Sequence, residues 1–333
     1  MRSVLLLGTG GTIASVESGN GLTPVIGTEE LLACVPEARA LCRIESRQLF
    51  SLDSTNVGPE HWLAIAAAVR ENYDAFDGFV IAHGTDTMAY TAAALSYLIQ
   101  KSPKPIVLTG GQKSISLQDT DARRNLFDSL LYASDPESSG VRVVFNGEII
   151  LGTRARKERT KSYNAFGSVD HPPVGIVRER RLIRYLTEEE KTAGGPVFYD
   201  RLDRRVLLLP LMPGMDSTFL REAAERCRGL VLQTFGMGGL PGGEAGDIAD
   251  AVRLWRSLGR TVVMMTQVPY EGSDMSLYEV GHKVKETMGV IEAYSMTTEA
   301  VVTKLMWALG QGGSEEDVRR RFETPAARDI IRW

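Results

Sequence analysis

Three times in the first third of the chain, a short apolar run stops at a loop of glycine and threonine. Residues 3–7 meet Gly8-Thr9-Gly10-Gly11-Thr12. Gly78-Phe79-Val80-Ile81-Ala82 meets His83-Gly84-Thr85-Asp86-Thr87, and Pro105-Ile106-Val107-Leu108 meets Thr109-Gly110-Gly111-Gln112. Unbroken apolar runs of this length are the form of strands buried on both faces. Between them lie helical patterns: 59–72 is alanine-rich and opens on Pro59, which suits a first helical turn, and 87–100 reads similarly. Strands and helices alternating in this way predict a parallel sheet covered on both sides. Ligands of such sheets sit at the carboxyl ends of the strands, where the glycine loops are.

The pattern then changes. Residues 141–152 read as a β-hairpin turning at Asn146-Gly147. A charged stretch over 178–191 runs into Thr192-Ala193-Gly194-Gly195-Pro196, and 191–205 is expected to be a linker. A second set follows, with strands at 206–210, 230–234 and 261–266, and a helical end over 297–320 broken at Gly310 to Gly313. The expectation is an α/β fold of two α/β domains. The larger N-terminal domain, 1–190, carries a mostly parallel sheet plus the hairpin; the smaller C-terminal domain, 206–333, is Rossmann-like. A length of 333 residues suits two cores better than one.

Composition removes several functions. Cys34, Cys42 and Cys227 are an odd set without a C-x-x-C spacing, so neither a disulfide framework nor a zinc site is indicated. His61, His83, His171 and His282 form no close pair, and no metal or cofactor is expected. A net charge of −4 argues against nucleic acid as a partner. No apolar run near the N-terminus is long enough for a signal segment or a membrane span, so the chain is expected to be cytoplasmic and not to bind membranes.

Glycine stands out, at 33 of 333 residues, about a tenth of the chain against a usual level of roughly 7%. Gly8-x-Gly10 invites a dinucleotide reading, but the third fingerprint position is Ile13, and Glu29 and Glu30 fall inside an apparent helix. No G-x-x-x-x-G-K-[ST] exists, which removes a Walker-type phosphate loop. A tight turn and nothing more is the plain alternative. The neighbouring side chains point further: Thr12 and Thr85-Asp86 put hydroxyls beside glycine N–H groups, a nucleophile next to oxyanion donors. A threonine hydroxyl needs a base. His83 sits at a strand end where it reads as a brace for the loop. Arg154, Arg156, Lys157, Arg159 and Lys161 surround the single acid Glu158. Such a cluster with burial would lower a lysine pKa towards working range; it also has the composition of a solvated basic face.

Taken together the loops resemble the type I, bacterial cytoplasmic L-asparaginase family. Thr9-Gly10-Gly11-Thr12-Ile13-Ala14 resembles its first signature and His83-Gly84-Thr85-Asp86-Thr87-Met88 its second. Asp53-Ser54-Thr55-Asn56, Thr109-Gly110-Gly111-Gln112, Arg154-Ala155-Arg156-Lys157, Gly236-Met237-Gly238-Gly239-Leu240-Pro241 and Met296-Thr297-Thr298-Glu299-Ala300 follow in family order. The resemblance implies an amidohydrolase that turns L-asparagine into L-aspartate and ammonia. Thr12 would be the nucleophile that forms an acyl-enzyme, with Thr85, Asp86 and Lys157 moving protons and placing the water. The substrate would lie against Gly11, Ser54, Thr55, Thr85, Asp86 and Gly111. Ser54 and Thr55 would hold its α-carboxylate, Asp86 its α-ammonium, and the Gly111 carbonyl would face its amide nitrogen. The family's intimate dimer implies a homodimer or homotetramer, with 271–282, and Tyr278 or Glu279 within it, completing the partner's site.

Two positions depart from the family pattern. Leu22 stands where many members have a tyrosine that helps the nucleophile, and Gly239 where several have asparagine. Three other readings stay in view. One is a glutaminase-asparaginase, since one methylene is a small discrimination. Another is an amidotransferase subunit, which carries an extra N-terminal domain where this chain's first strand begins at residue 3. The third is a silent amino-acid-binding module, against which both threonines, Asp86 and Lys157 speak.

Overall fold

The computed structural model describes residues 1–18, 21–186, 195–243, 246–277 and 279–332. The fold is the expected α/β type, in two compact units, Met1–Asp200 and Arg201–Trp333.

In the first unit the sheet has eight strands. Five run parallel in the order Arg43–Leu52, Ser3–Gly10, Gly78–Ala82, Pro105–Thr109 and Gly140–Phe145. Glu148–Leu151, Gly175–Arg178 and Arg181–Arg184 extend it antiparallel. The unbroken apolar runs are explained by burial on both faces. Val4, Leu6, Val80 and Val107 pack into one core with Leu126 and Leu130 of the Ala122–Ser134 helix. The residues between them, Leu5, Leu7, Phe79, Ile81, Ile106 and Leu108, are equally buried. The hairpin turns at Asn146 and Gly147, whose φ values of 50° and 80° give the twist that a two-residue connection requires.

Three local features depart from or go beyond what the patterns predict. Arg43–Leu52 is a strand that no apolar run announces: it lies at the sheet edge and interleaves Arg43, Glu45 and Arg47 with half-buried residues. The charged stretch after Val177 opens as a second hairpin, Gly175–Arg178 against Arg181–Arg184, turning at Glu179 and Arg180 with φ 50° and 59°, and its residues 187–191 lie outside the described residues. The helix expected over 87–100 is Met88–Leu98, because Ile99 and Gln100 pair with Phe198 and Val197. That pairing puts a strand inside the stretch read as a linker; its residues 191–194 lie outside the described residues.

The second unit is a parallel sheet of Val206–Pro210, Gly229–Thr234, Thr261–Thr266 and Ile291–Glu292 in that order. Thr218–Arg226 and Asp247–Ser257 connect the first three strands, and their core centres on Trp255, Leu220 and Val252. The expected helical end is Thr298–Gly310 and Glu315–Glu323. Gly312 and Gly313 break it with positive φ, and Ser314 caps the second helix in a box with Asp317. Among the described residues no helix is long and apolar enough to cross a membrane.

Candidate active site

Four loops at the carboxyl ends of adjacent parallel strands meet in the first unit, and glycine is what lets them touch. A β-carbon on Gly11 would stand 2.2 Å from the Cα of Gly84. One on Gly84 would stand 2.6 Å from Cβ and Oγ of Ser54, and one on Gly110 2.4 Å from the His83 carbonyl oxygen. The loops after Gly10, Leu52, Ala82 and Thr109 are therefore packed too closely to admit a side chain at these glycines. Gly10 and Gly11 also take φ values of 97° and 80°, which L side chains adopt only with strain. Thr12 follows them, partly buried, and opens the single turn Thr12–Ala14. Gly11 itself has both of its backbone groups engaged. Its N–H donates to the Leu52 carbonyl at 2.9 Å, and its carbonyl accepts from the Ala14 N–H and the Ser15 hydroxyl.

Lys157 comes to this point from a different element. Ala155–Lys157 pairs with Phe166–Ser168 in a two-stranded ribbon, and the lysine side chain reaches into the second glycine loop. Its Nζ donates to Thr85 Oγ1 at 2.8 Å and to Asp86 Oδ1 at 2.6 Å. The charge set beside Lys157 is thus a carboxylate rather than the arginines that precede and follow it. Arg154 is fully buried, and Arg159 pairs with Glu158 at 3.4 Å. Thr85 is buried and donates its own proton to Gln112 Oε1 at 3.2 Å, which leaves its lone pairs to Lys157. Gln112 donates in turn to the Ser162 carbonyl.

Ser54 ties the second loop down. Its hydroxyl accepts from the Asp86 N–H at 3.2 Å, and its carbonyl accepts from the Thr87 hydroxyl at 2.7 Å. Thr55 beside it is exposed, with its hydroxyl on Asp53 Oδ1 at 2.9 Å. His83 is fully buried. A carbonyl can only accept, so the 2.7 Å contact to the Gly84 carbonyl fixes the proton on Nδ1. Nε2 then accepts from the Thr91 hydroxyl at 3.0 Å. Burial drives the His83 pKa down to about 4, which keeps the ring neutral near pH 7. With both ring nitrogens committed, His83 braces the loop.

The structure therefore brings Thr85, Asp86, Lys157 and Ser54 into direct hydrogen-bond contact. It places Gly11 against Gly84, with Thr12 next to Gly11 on the first loop. Gly111 lies on the third loop, next to Gln112. Gln112, quoted in the sequence only as part of a motif, turns out to be the partner of the Thr85 hydroxyl. Tyr278 and the side chains of Leu22 and Glu279 lie outside the described residues. The glycine-rich loop of the second unit has a different basis. Gly236, Gly238, Gly242 and Gly243 all have positive φ, and the Gly238 and Gly239 N–H groups fold back onto the Phe235 carbonyl. Gly239 itself has neither a positive φ nor a close neighbour, so nothing in the fold demands glycine there.

Comparison with known proteins agrees in both units. Residues 3–190 match the model of the asparaginase N-terminal domain, and 205–322 that of the glutaminase/asparaginase C-terminal domain. An L-asparaginase of Thermococcus kodakarensis is 40% identical over 329 residues, covering 98% of each chain. A solved structure of a thermostable L-asparaginase from Thermococcus kodakarensis superposes with a TM-score of 0.93 at 38% identity, covering 99% of this chain and 100% of the other. One of the subunits of the glutamyl-tRNA(Gln) amidotransferase of Pyrococcus horikoshii is 33% identical, over 99% of this chain and 77% of its own length.

Proposed function

The chain belongs to the asparaginase family, and from that membership we propose that it hydrolyses L-asparagine to L-aspartate and ammonia. The observation that carries the proposal is the Lys157 ammonium bonded at once to the Thr85 hydroxyl and the Asp86 carboxylate, where the loop bearing Thr12 touches theirs. Thr12 Oγ1 attacks the side-chain amide carbon, the carbon–nitrogen bond breaks, and nitrogen leaves as ammonia with a proton delivered through the polar cluster. The proton with which the nitrogen leaves as ammonia is the one Thr12 Oγ1 gives up on attack. Water then attacks the aspartyl ester, and as the ester bond breaks its proton is relayed through the Thr85–Lys157–Asp86 group back to Thr12 Oγ1, which regenerates the hydroxyl.

Substrate positioning follows the same loops. Asp86, whose side chain is 56% exposed, presents its carboxylate to the α-ammonium, while Lys157 is 16% exposed and faces inward. Ser54 and Thr55 take the α-carboxylate, and the Gly111 carbonyl takes the amide N–H. Gly11 contributes space rather than a hydrogen bond, since its backbone groups are already engaged. No cofactor or metal enters this scheme. Assembly into a homodimer or homotetramer is supported by exposed apolar side chains of the second unit, among them Met212, Phe219, Val268, Tyr270 and Leu277. A cytoplasmic setting fits the free thiols of Cys34, Cys42 and Cys227.

The amidotransferase relatives define the second reading, in which the ammonia is passed on rather than released. The higher identity to an L-asparaginase favours hydrolysis. Ammonia release from free L-asparagine by the purified protein tests the proposal. We expect turnover by the wild type, and a fall of about a thousandfold or more in kcat for both Thr12→Val and Lys157→Met with circular dichroism unchanged. A wild type inert towards free asparagine, or either variant with undiminished kcat, would overturn it.

A further inference from the structure

We propose that Asp121 and Asn125 are positioning residues that aim the Gly111 carbonyl at the leaving amide nitrogen, an assignment that rests on the hydrolytic reading above. Asp121 is 7% exposed and sits immediately before the Ala122–Ser134 helix, at its N-cap. A cap aspartate ordinarily turns an oxygen onto an N–H of its own helix. This one makes no such bond; Thr120 Oγ1 accepts the Ala122 N–H instead, at 3.1 Å.

Both Asp121 oxygens face the third glycine loop. They accept from the Gln112 N–H at 3.0 and 2.9 Å, from the Lys113 N–H at 3.1 Å, and from Asn125 Nδ2 at 3.2 Å. Asn125, one turn along and 1% exposed, donates Nδ2 to the Gly110 carbonyl at 3.0 Å. Its Oδ1 accepts from the Asn146 N–H at 2.8 Å, which anchors the clamp to the hairpin turn.

Gly111 therefore lies between two peptide groups that are both held. A trans peptide is planar, and none of the described bonds is cis, so a Gln112 N–H directed at Asp121 points the Gly111 carbonyl the opposite way. A β-carbon at position 111 would stand 2.7 Å from Ala122 Cβ and from the Lys113 carbonyl, so only glycine fits. The clamp also delivers the Gln112 side chain to Thr85. As the carbon–nitrogen bond breaks, the nitrogen gains a proton and becomes a stronger donor. A carbonyl fixed towards it is thus worth more in the transition state than in the ground state.

The test compares L-asparagine with the β-methyl ester of L-aspartate, which gives the same acyl group but whose leaving oxygen carries no N–H. We expect Asp121→Asn to lower kcat/KM for asparagine on the order of tenfold to a hundredfold. The ester should lose several-fold less, so the amide-to-ester ratio falls. Asn125→Asp keeps the acceptor for Asn146, loses the donor to Gly110, and should lower the same ratio to a smaller extent; it carries the test alone if Asp121→Asn does not fold. A purely structural role would lower both substrates alike. An unchanged ratio in a folded variant overturns this assignment alone, whereas a wild type inert to both substrates overturns the hydrolytic reading and this with it.

Discussion

Each unit of the chain holds a lysine and an aspartate in contact at the same distance. Lys157 Nζ lies 2.6 Å from Asp86 Oδ1 in the first unit, and Lys304 Nζ lies 2.6 Å from Asp329 Oδ2 in the second. Their surroundings are opposite. The first pair is open, with Asp86 mostly exposed and the Thr85 hydroxyl as third partner. The second is sealed at 0% exposure on both sides. Lys304 also donates to the Thr324 carbonyl and stands over the Phe322 ring, and Asp329 accepts the Ala326 N–H. An ion pair beside water exchanges partners cheaply, so it can serve a substrate. One without water holds two chain segments together and is costly to break.

The sharpest way to break this comparison is to remove the lysine from each pair. Lys304→Met strands the Asp329 charge in the interior and should cost roughly 3–5 kcal/mol in urea unfolding. Adding Asp329→Leu should recover most of that loss, because an apolar pair of similar volume no longer needs a partner. Lys157→Met should change stability by about 1 kcal/mol or less while abolishing turnover. If Lys157→Met were as destabilising as Lys304→Met, the open pair would be part of the scaffold and the contrast would fail.

The glycine loops sharpen the same contrast by a smaller amount. Gly84→Ala inserts a β-carbon 2.6 Å from Ser54 and 3.0 Å from the Gly11 Cα, and so pushes apart two loops of the site. We expect kcat/KM for asparagine to fall by about a hundredfold. Gly239→Ala, whose nearest neighbour would be 3.8 Å away, should leave folding and turnover within about twofold of the wild type. Equal effects at the two positions would mean that glycine content, rather than loop contact, is what matters.

How far these features can be read from sequence depends on where each residue's partner lies. Gly78–Ala82 and Pro105–Thr109 are legible because burial on both faces leaves an unbroken apolar run. Arg43–Leu52 is not, since an edge strand needs apolar residues on one side only and here alternates them with charge. Glu179 and Arg180 hide their turn because the backbone there is left-handed without glycine or asparagine to signal it. Thr12, Thr85 and Asp86 are visible beside glycine, and Lys157 within a cationic run. That Lys157 reaches Thr85, a sequence separation of 72 residues, is a property of the ribbon at 155–168 and of nothing local. Asp121 and Asn125 are harder still: an acid and an amide four apart at a helix start look like a solvated face until the loop they clamp is placed over them.

His83 extends the comparison to pH, since it is a fully buried ionisable group of the first unit. Its folded pKa of about 4 lies below the ordinary 6.5. Between those values the unfolded chain binds a proton that the folded chain refuses, so stability falls as pH drops through this window. By that linkage His83 contributes no pH dependence above about pH 7 and removes roughly 1.4 kcal/mol at pH 5.5. Asp128, raised by burial to about 6, titrates with the opposite sign nearby, so the effect must be read as a difference between two proteins. His83→Gln keeps a donor for the Gly84 carbonyl and an acceptor for the Thr91 hydroxyl but cannot be protonated. Urea unfolding at pH 7.5 and 5.5 should show the wild type losing about 1.4 kcal/mol more than this variant across the interval. Parallel losses would mean that the His83 site admits water or charge, and that the second glycine loop is held by something other than a neutral imidazole.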